Sequence, residues 1–235
     1  MTDSGKWFLW LDEKRSPYLN MSIDELLLTD SASTGAPVVR FYGWDRPAVS
    51  IGYVQSYDAA PHHTHTVVRR PTGGGVVYHN HDLTYTVVIP AGHQICELDR
   101  TESYHVFHRA IQCALGEFGV QASLSSSESA PVDRATMQCF VTPTRYDVVG
   151  NGKKYAGAAQ RRTRDGILHQ GSIDLAVADG NRELLIEKLI TALQTQFAIE
   201  FIEFNVSKSL FDRATALAGT KYSTEEWNKH KHLVN

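Results

Sequence analysis

The stretch from Val67 to His79, VVRRPTGGGVVYH, constrains this chain more than any other. Two apolar pairs with strand character bracket two arginines, a Pro-Thr step and three consecutive glycines. Glycine loses the most backbone freedom on folding and offers no side chain to pack, so such a run weakens the strands beside it. It makes sense where another molecule must lie against bare backbone. Arg69 and Arg70 suit a partner with negative charge, a phosphate or a carboxylate. Taken alone, three glycines favour a plainer reading, a glycine-rich hairpin with two solvated arginines.

The pattern around this run is that of a mixed sheet. VVRFY (Val38 to Tyr42), AVSIGY (Ala48 to Tyr53) and LTYTVVIP (Leu83 to Pro90) read as strands, with a turn at Asp45-Arg46-Pro47. In the last of these, alternation places Leu83, Tyr85 and Val87 on one buried face. Asn151-Gly152 and Asp165-Gly166 mark two hairpins whose strands are antiparallel neighbours. Helical spacing runs from Thr101 to Phe118, with Gly119 as the cap and Cys113 in the core. Ser22-Ile23-Asp24-Glu25 forms a capping box and predicts a helix to about Ser31. Asn181 caps a helix to about Phe197, a short one spans Ser209 to Leu217, and Ser223-Thr224 caps a final turn near Trp227. Strands interspersed with helices point to an α+β fold, a largely antiparallel sheet flanked by helices.

Composition excludes several classes. A net charge of −3 is wrong for a general nucleic-acid binder, and no apolar run reaches membrane-spanning length. The N-terminus lacks a signal-peptide layout, and three irregularly spaced cysteines fit a reducing cytoplasm rather than a disulfide framework. Histidines cluster at 62–65, 79–81, 105–108 and 230–232. His105 and His108 share a helix face, but no matching carboxylate or cysteine set accompanies them, so they read as surface residues and no metal is assigned to protein ligands.

A second stretch, Tyr146 to Leu175, changes the reading of the first. Arg69-Arg70-Pro71-Thr72-Gly73-Gly74-Gly75-Val76-Val77-Tyr78-His79, followed by Lys154-Tyr155-Ala156-Gly157-Ala158-Ala159, resembles the two signatures of the lipoate–protein ligase and octanoyltransferase family, to which biotin ligases are also related. Arg40 to Gln55 and Leu168 to Ser172 extend the likeness to roughly Ser16 to Trp227. The resemblance implies one catalytic domain over residues 1–235, without the C-terminal accessory domain that many ligases carry. It implies attachment of a lipoyl or octanoyl group to a lysine of a lipoyl carrier domain, as in 2-oxoacid dehydrogenases or the glycine cleavage H protein. The ligase route uses lipoate, ATP and Mg²⁺ through an acyl-adenylate. The transferase route takes octanoyl from an acyl-carrier-protein thioester.

The same resemblance implies roles for individual residues. Lys154 stabilises oxyanion charge at the attacked carbonyl, while Lys153 stays on the surface. Arg70 contacts phosphate or carboxylate, and the loop Gly73, Gly74, Gly75, Val76, Val77 and Tyr78 cradles the adenylate or acyl head. His79 is a polar wall or a structural residue. Asp147 reaches the nucleotide side or forms a strand-end salt bridge. Gly157 and Ala158 leave room for ligand, and His169 shapes the loop beside the lysine. Cys139, in Cys-Phe-x-x-Pro-x-x-Tyr, is either a packed residue or a thioester-forming nucleophile. The intact triple glycine favours the ATP-dependent ligase, with the Cys139-dependent transferase as the alternative. A biotin ligase fits less well, and a non-catalytic lipoyl-binding module is disfavoured by the intact loop and Lys154.

Overall fold

The computed structural model describes residues 5–126 and 145–231. The chain opens on β1 (Lys6–Arg15), α1 (Pro17–Thr29) and α2 (Ser31–Thr34), then β2 (Val38–Trp44), β3 (Ala48–Ile51), β4 (Thr66–Arg69), β5 (Val77–Tyr78) and β6 (Asp82–Pro90). Next come α3 (Arg100–Gly116), β7 (Ser123–Leu124), β8 (Val148–Gly150), β9 (Lys153–Thr163), β10 (Gly166–Asp174), α4 (Arg182–Phe197), β11 (Glu200–Glu203) and α5 (Lys208–Leu217). Eight strands form one sheet in the order β11-β1-β2-β6-β10-β9-β8-β7, and β4-β3-β5 form a small second sheet. The large sheet is antiparallel except where β1 runs parallel to β2 and β11.

Helices cover both faces. Phe107, Ile111 and Leu115 of α3 and Leu185, Leu189 and Leu193 of α4 pack on one face, against Val39, Leu83, Tyr85, Val87 and Ile173. Ile23 and Leu27 of α1 and Leu210 of α5 pack on the other, against Val38, Val88 and Leu168. Double coverage explains why β6 is buried along both alternating sets and not only at Leu83, Tyr85 and Val87.

Several elements start elsewhere than the sequence suggests. Helix α1 begins at Pro17, capped by the Ser16 side chain, a Ser-Pro start with proline at its favoured first position. Ser22 therefore lies mid-helix and donates to the Tyr18 and Leu19 carbonyls rather than capping. Strand β1 and edge strand β11 carry no clean alternation and are invisible to the pattern. Cys113 is exposed rather than core: the buried positions Ile111, Ala114 and Leu115 define the inward face, and 113 falls outside it. Both hairpins form as expected, with Asn151 at φ 50° and Gly152 at φ 72° supplying the left-handed turn.

Candidate functional site

Both arginines of the glycine motif are tied to backbone carbonyls, and Arg70 also lines the pocket beside the loop. Arg69 is fully buried, and its guanidinium donates to the carbonyls of Gly52, Tyr53 and Gln55 (2.6–3.1 Å) and to those of Trp227 and Asn228 near the C-terminal end. Asn228 Oδ1 accepts from the Arg69 backbone N–H at 2.7 Å, and Trp227 Nε1 donates to the Arg69 carbonyl at 2.9 Å. Burial among neutral carbonyls pulls the Arg69 pKa down to about 10. Arg70 directs Nε and Nη2 to the Gly73 carbonyl (3.1 and 2.6 Å), Nη2 also to Gly75 O (2.7 Å), and Nη1 to the Ser50 carbonyl and hydroxyl. Its planar fork shapes the loop from inside.

Bare backbone serves that loop in two ways. Gly74 sits at φ 85°, where a side chain is strained, and a Cβ there would lie 3.0 Å from Arg70 Nη2. Gly52, which the sequence did not single out, lets β3 pass so close that a Cβ would fall 2.1 Å from the Gly74 carbonyl. Gly73 faces open space. Of the following residues, Val77 and His79 line the pocket beside the loop. Val76 instead packs in the core of the small sheet with Val49, Ile51 and Val67, and Tyr78 is 39% exposed and outside the pocket lining. Neither is among the residues that line the pocket.

Lys154 is buried and its Nζ lies 2.7 Å from Asp147 Oδ2, both side chains 2% exposed. Asp147 thus takes the salt-bridge alternative of its two expected roles. A β-bulge creates this placement. Val148 pairs Ala156 while Val149 pairs Lys154, so β9 carries one extra residue, Tyr155, opposite β8. The bulge restores Lys154 to the face of Gly157, which plain alternation would deny it. A Cβ on Gly157 would fall 2.4 Å from Lys154 Cε, 2.5 Å from its Nζ and 3.1 Å from Asp147 Oδ1. Gly157 is therefore the space in which the ammonium lies. Lys153 is exposed, as expected.

The pocket opens on the same sheet face. Two lateral rows run under it: Arg40, Thr86, Gln170 and Ala159 pair across β2, β6, β10 and β9, and Tyr42, Thr84, Ser172 and Gly157 form the adjacent row; of these all but Arg40 and Thr86 line the pocket. Met21 of α1, Trp44, Val77, His79 and Ala158 complete its walls. Its polar side is held rigidly. His79 stacks on Trp44 at 3.9 Å, donates from Nδ1 to Asp82 Oδ2 (2.9 Å) and has Nε2 2.8 Å from Ser50 Oγ. Asp82 also accepts from Ser172 and Thr84; burial pushes its carboxyl up, but His79 and these donors more than offset that and hold it below its ordinary value. Under α1 on this same face, Asp24 accepts from Arg40, Tyr42, Thr86 and Gln170, and Thr72 of the glycine motif donates to Gln170 at 2.7 Å. Burial, then Asp24, raises the Tyr42 hydroxyl well above its usual range, so it stays a donor.

Sequence reasoning missed Asp24, Ser50, Asp82, Gln170 and Ser172. Alternation along β10 is the signal that separates them: Gln170 and Ser172 face the pocket, while His169 points to the opposite face. There its Nε2 lies 3.2 Å from Tyr85 OH and its ring packs on Phe107. Burial and then His108 pull its pKa well below 6.5, so it is neutral. His79 and His108 are buried as well, His108 against the surface reading; both nitrogens of His79 and Nδ1 of His108 have partners inside the protein. Cys139 lies outside the described residues.

The fold that carries this pocket, its tethered glycine loop and its buried lysine pair is shared with solved structures of lipoate–protein ligases. The chain belongs to the lipoyl protein ligase A/B catalytic domain family, which it matches over residues 16–197. It is 32% identical to the octanoyltransferase LipM of Lysinibacillus sphaericus, with 96% of this chain and 99% of that protein aligned. It is 31% identical to the octanoyltransferase LipM of Bacillus subtilis, over 91% and 94% of the two chains. In fold it matches protein Ta0514 of T. acidophilum with bound lipoic acid at a TM-score of 0.79 and 24% identity, over 96% and 99% of the chains. A lipoate-protein ligase A bound with ATP matches at 0.76 and 24%, over 95% and 98%. The chain is accordingly an enzyme of the lipoate ligase and octanoyltransferase family. No helix among the described residues is long and apolar enough to cross a membrane.

Proposed function

We propose that this enzyme is an octanoyltransferase that moves an octanoyl group from a carrier-protein thioester to a lysine of a lipoyl domain, without ATP. The observation that carries the reading is the buried Lys154–Asp147 pair held over Gly157 at the rim of an apolar pocket. An ammonium already stripped of water and fixed beside the acyl site stabilises a tetrahedral oxyanion without reorganising. The choice of donor is supported by the octanoyltransferases aligned over nearly the whole chain. They outweigh the triple glycine, on which an ATP-dependent ligase was expected. The interior roles of Arg69 and Arg70 point the same way, because both cations expected at a phosphate are engaged with backbone carbonyls.

The chemistry then runs in two displacements. The Cys139 thiolate attacks the octanoyl carbonyl, a new C–S bond forms and the carrier thiolate leaves. The amine of the lipoyl-domain lysine attacks that thioester, an amide forms, its proton is lost and the Cys139 thiolate is released. Lys154 meets the oxyanion in both steps. The pocket receives the alkyl chain. Met21, unbranched and flexible, is the wall residue best able to yield.

The test is incubation with octanoyl-acyl carrier protein and a lipoyl domain, without ATP, followed by intact mass. Octanoylated lipoyl domain and a hydroxylamine-sensitive adduct on the enzyme, absent in Cys139→Ala, are expected. Product that forms only from free lipoate or octanoate with ATP and Mg²⁺ would return the chain to the ligases.

A further inference from the structure

The paired histidines of α3, which the catalytic reading leaves unused, grip the residue next to the Lys154 partner. His108 Nδ1 lies 2.6 Å from the Tyr146 carbonyl oxygen. A carbonyl only accepts, so Nδ1 carries the proton. One turn earlier on the same helix face, the His105 ring stacks on the Tyr146 ring at 4.7 Å and 27°. Tyr146 sits at φ 68°, a left-handed backbone that a bulky side chain resists. Its N–H donates to the Ser125 carbonyl, and Ser125 N–H donates to the carbonyl of Asp147, so the strained step is pinned from the backbone as well. The next side chain is Asp147, aimed at Lys154 Nζ.

A histidine is a costly choice for this place if packing alone were required. His108 is fully buried, and its Nε2 has no hydrogen-bond partner among the described residues. Tyr104 and His169 pack edge-on against the ring. Burial lowers its pKa, with Asp147 opposing and Lys154 adding to the fall, which keeps the ring neutral beside the ion pair. An apolar side chain would fill the same space without an orphaned nitrogen, but it would leave the Tyr146 carbonyl without its donor and the strain without its restraint.

We infer that His108, assisted by His105, is a positioning residue for Lys154: by holding Tyr146 in a left-handed conformation it aims Asp147, which in turn fixes the ammonium over Gly157. The inference rests on Lys154 acting at the acyl carbonyl, but its geometry can be read without that. Strain at functional sites persists where neighbours over-determine it, and here two side chains and two backbone bonds do so.

Three variants test it. His108→Leu removes the donor, His108→Asn keeps an N–H near the Nδ1 position, and His108→Leu combined with Tyr146→Gly supplies a residue that accepts φ 68° unaided. The leucine variant is expected to lose about tenfold or more in kcat with KM for the octanoyl donor nearly unchanged, and the other two to recover to within about threefold of the parent. Peptide mapping after a short pulse of an acetyl N-hydroxysuccinimide ester reads Lys154 independently of the substrate. Lys154 is expected to label faster in His108→Leu than in the parent or in His108→Asn. Equal labelling in parent and His108→Leu overturns the inference, whatever the enzyme's true donor. So does a loss of activity that is equal in the leucine and asparagine variants and tracks their melting temperatures. Altered Lys154 labelling with no octanoyl transfer by the parent would leave the positioning intact and condemn the proposed reaction instead.

Discussion

Replacing Gly157 with alanine separates catalysis from stability more cleanly than any deletion of the lysine. The added Cβ would fall 2.5 Å from Lys154 Nζ and 2.4 Å from Cε. Ordinary contact between such atoms begins near 3.5 Å, so the ammonium must retreat by about 1 Å. Gly157 does not occupy left-handed backbone, so alanine carries no conformational strain there. The obstacle is the far end of a flexible side chain, which swings aside rather than forcing strands apart. Both charges of the buried pair remain, so the cost stays well below the roughly 3–5 kcal/mol of removing one partner. A stability change of about 1 kcal/mol corresponds to about 2–4 °C in Tm for a chain of this size. A misplacement of about 1 Å costs on the order of 100-fold in rate. Gly157→Ala is therefore expected to melt within about 4 °C of the parent while transferring octanoyl about 100-fold more slowly, with KM little changed. The assay is initial rate by intact mass of the lipoyl domain, beside thermal unfolding of the same preparation. A parent-like rate would mean that the ammonium does its work elsewhere or does none. A collapsed Tm with a proportionate loss of rate would mean that Gly157 serves packing alone.

Other outcomes follow from the same geometry. Lys154→Ala should lower the rate about 10²- to 10³-fold with the fold retained, whereas Lys153→Ala, at an exposed site, should be nearly silent; comparable rates for parent and Lys154→Ala would refute its role. Gly74→Val places a branched side chain at φ 85° and against Arg70, so binding of an octanoyl thioester, measured by calorimetry, should fall further than Tm. His169 is held well below 6.5 by burial and then by His108, so below that pH the unfolded chain takes up a proton that the folded chain refuses. Stability should then decline as pH falls from about 6.5, and His169→Phe should flatten that decline; an unchanged urea-midpoint profile from pH 7 to 5 would contradict it.

What the sequence made legible was set by the range of the forces involved. The Asn151-Gly152 turn, the Asn181 cap and the glycine motif are local, and each formed where expected. Strand β1 was not legible, because its burial depends on β2 on one side and β11, far along the chain, on the other. The site divides in the same way. Lys154 and Gly157 were found by motif, but the bulge that places them together needs the register of β8 against β9. The internal bonds of the arginines were not legible, because a charged side chain beside glycines suggests an anionic ligand. Only the folded chain reveals that the acceptors are carbonyls of residues 52–55, 73–75 and 227–228. Gln170 and Asp24 were hidden by their neighbours: His169 drew the eye within LHQG, and Asp24 passed for part of a helix cap.

The anchoring of Arg69 also sets an order of events as the chain is made. Its carbonyl acceptors at Trp227 and Asn228 lie 158 and 159 residues downstream. At synthesis rates of about 5–20 residues per second, the arginine waits roughly 8–30 s for them. During that interval the guanidinium stays in water, and residues 52–55, which it ties to the glycine loop, lack their tether. The glycine loop is thus completed only once Trp227 has emerged. A nascent chain stalled before that point is expected to leave this segment open to protease, and the enzyme would begin work only after nearly all the described sequence has left the ribosome.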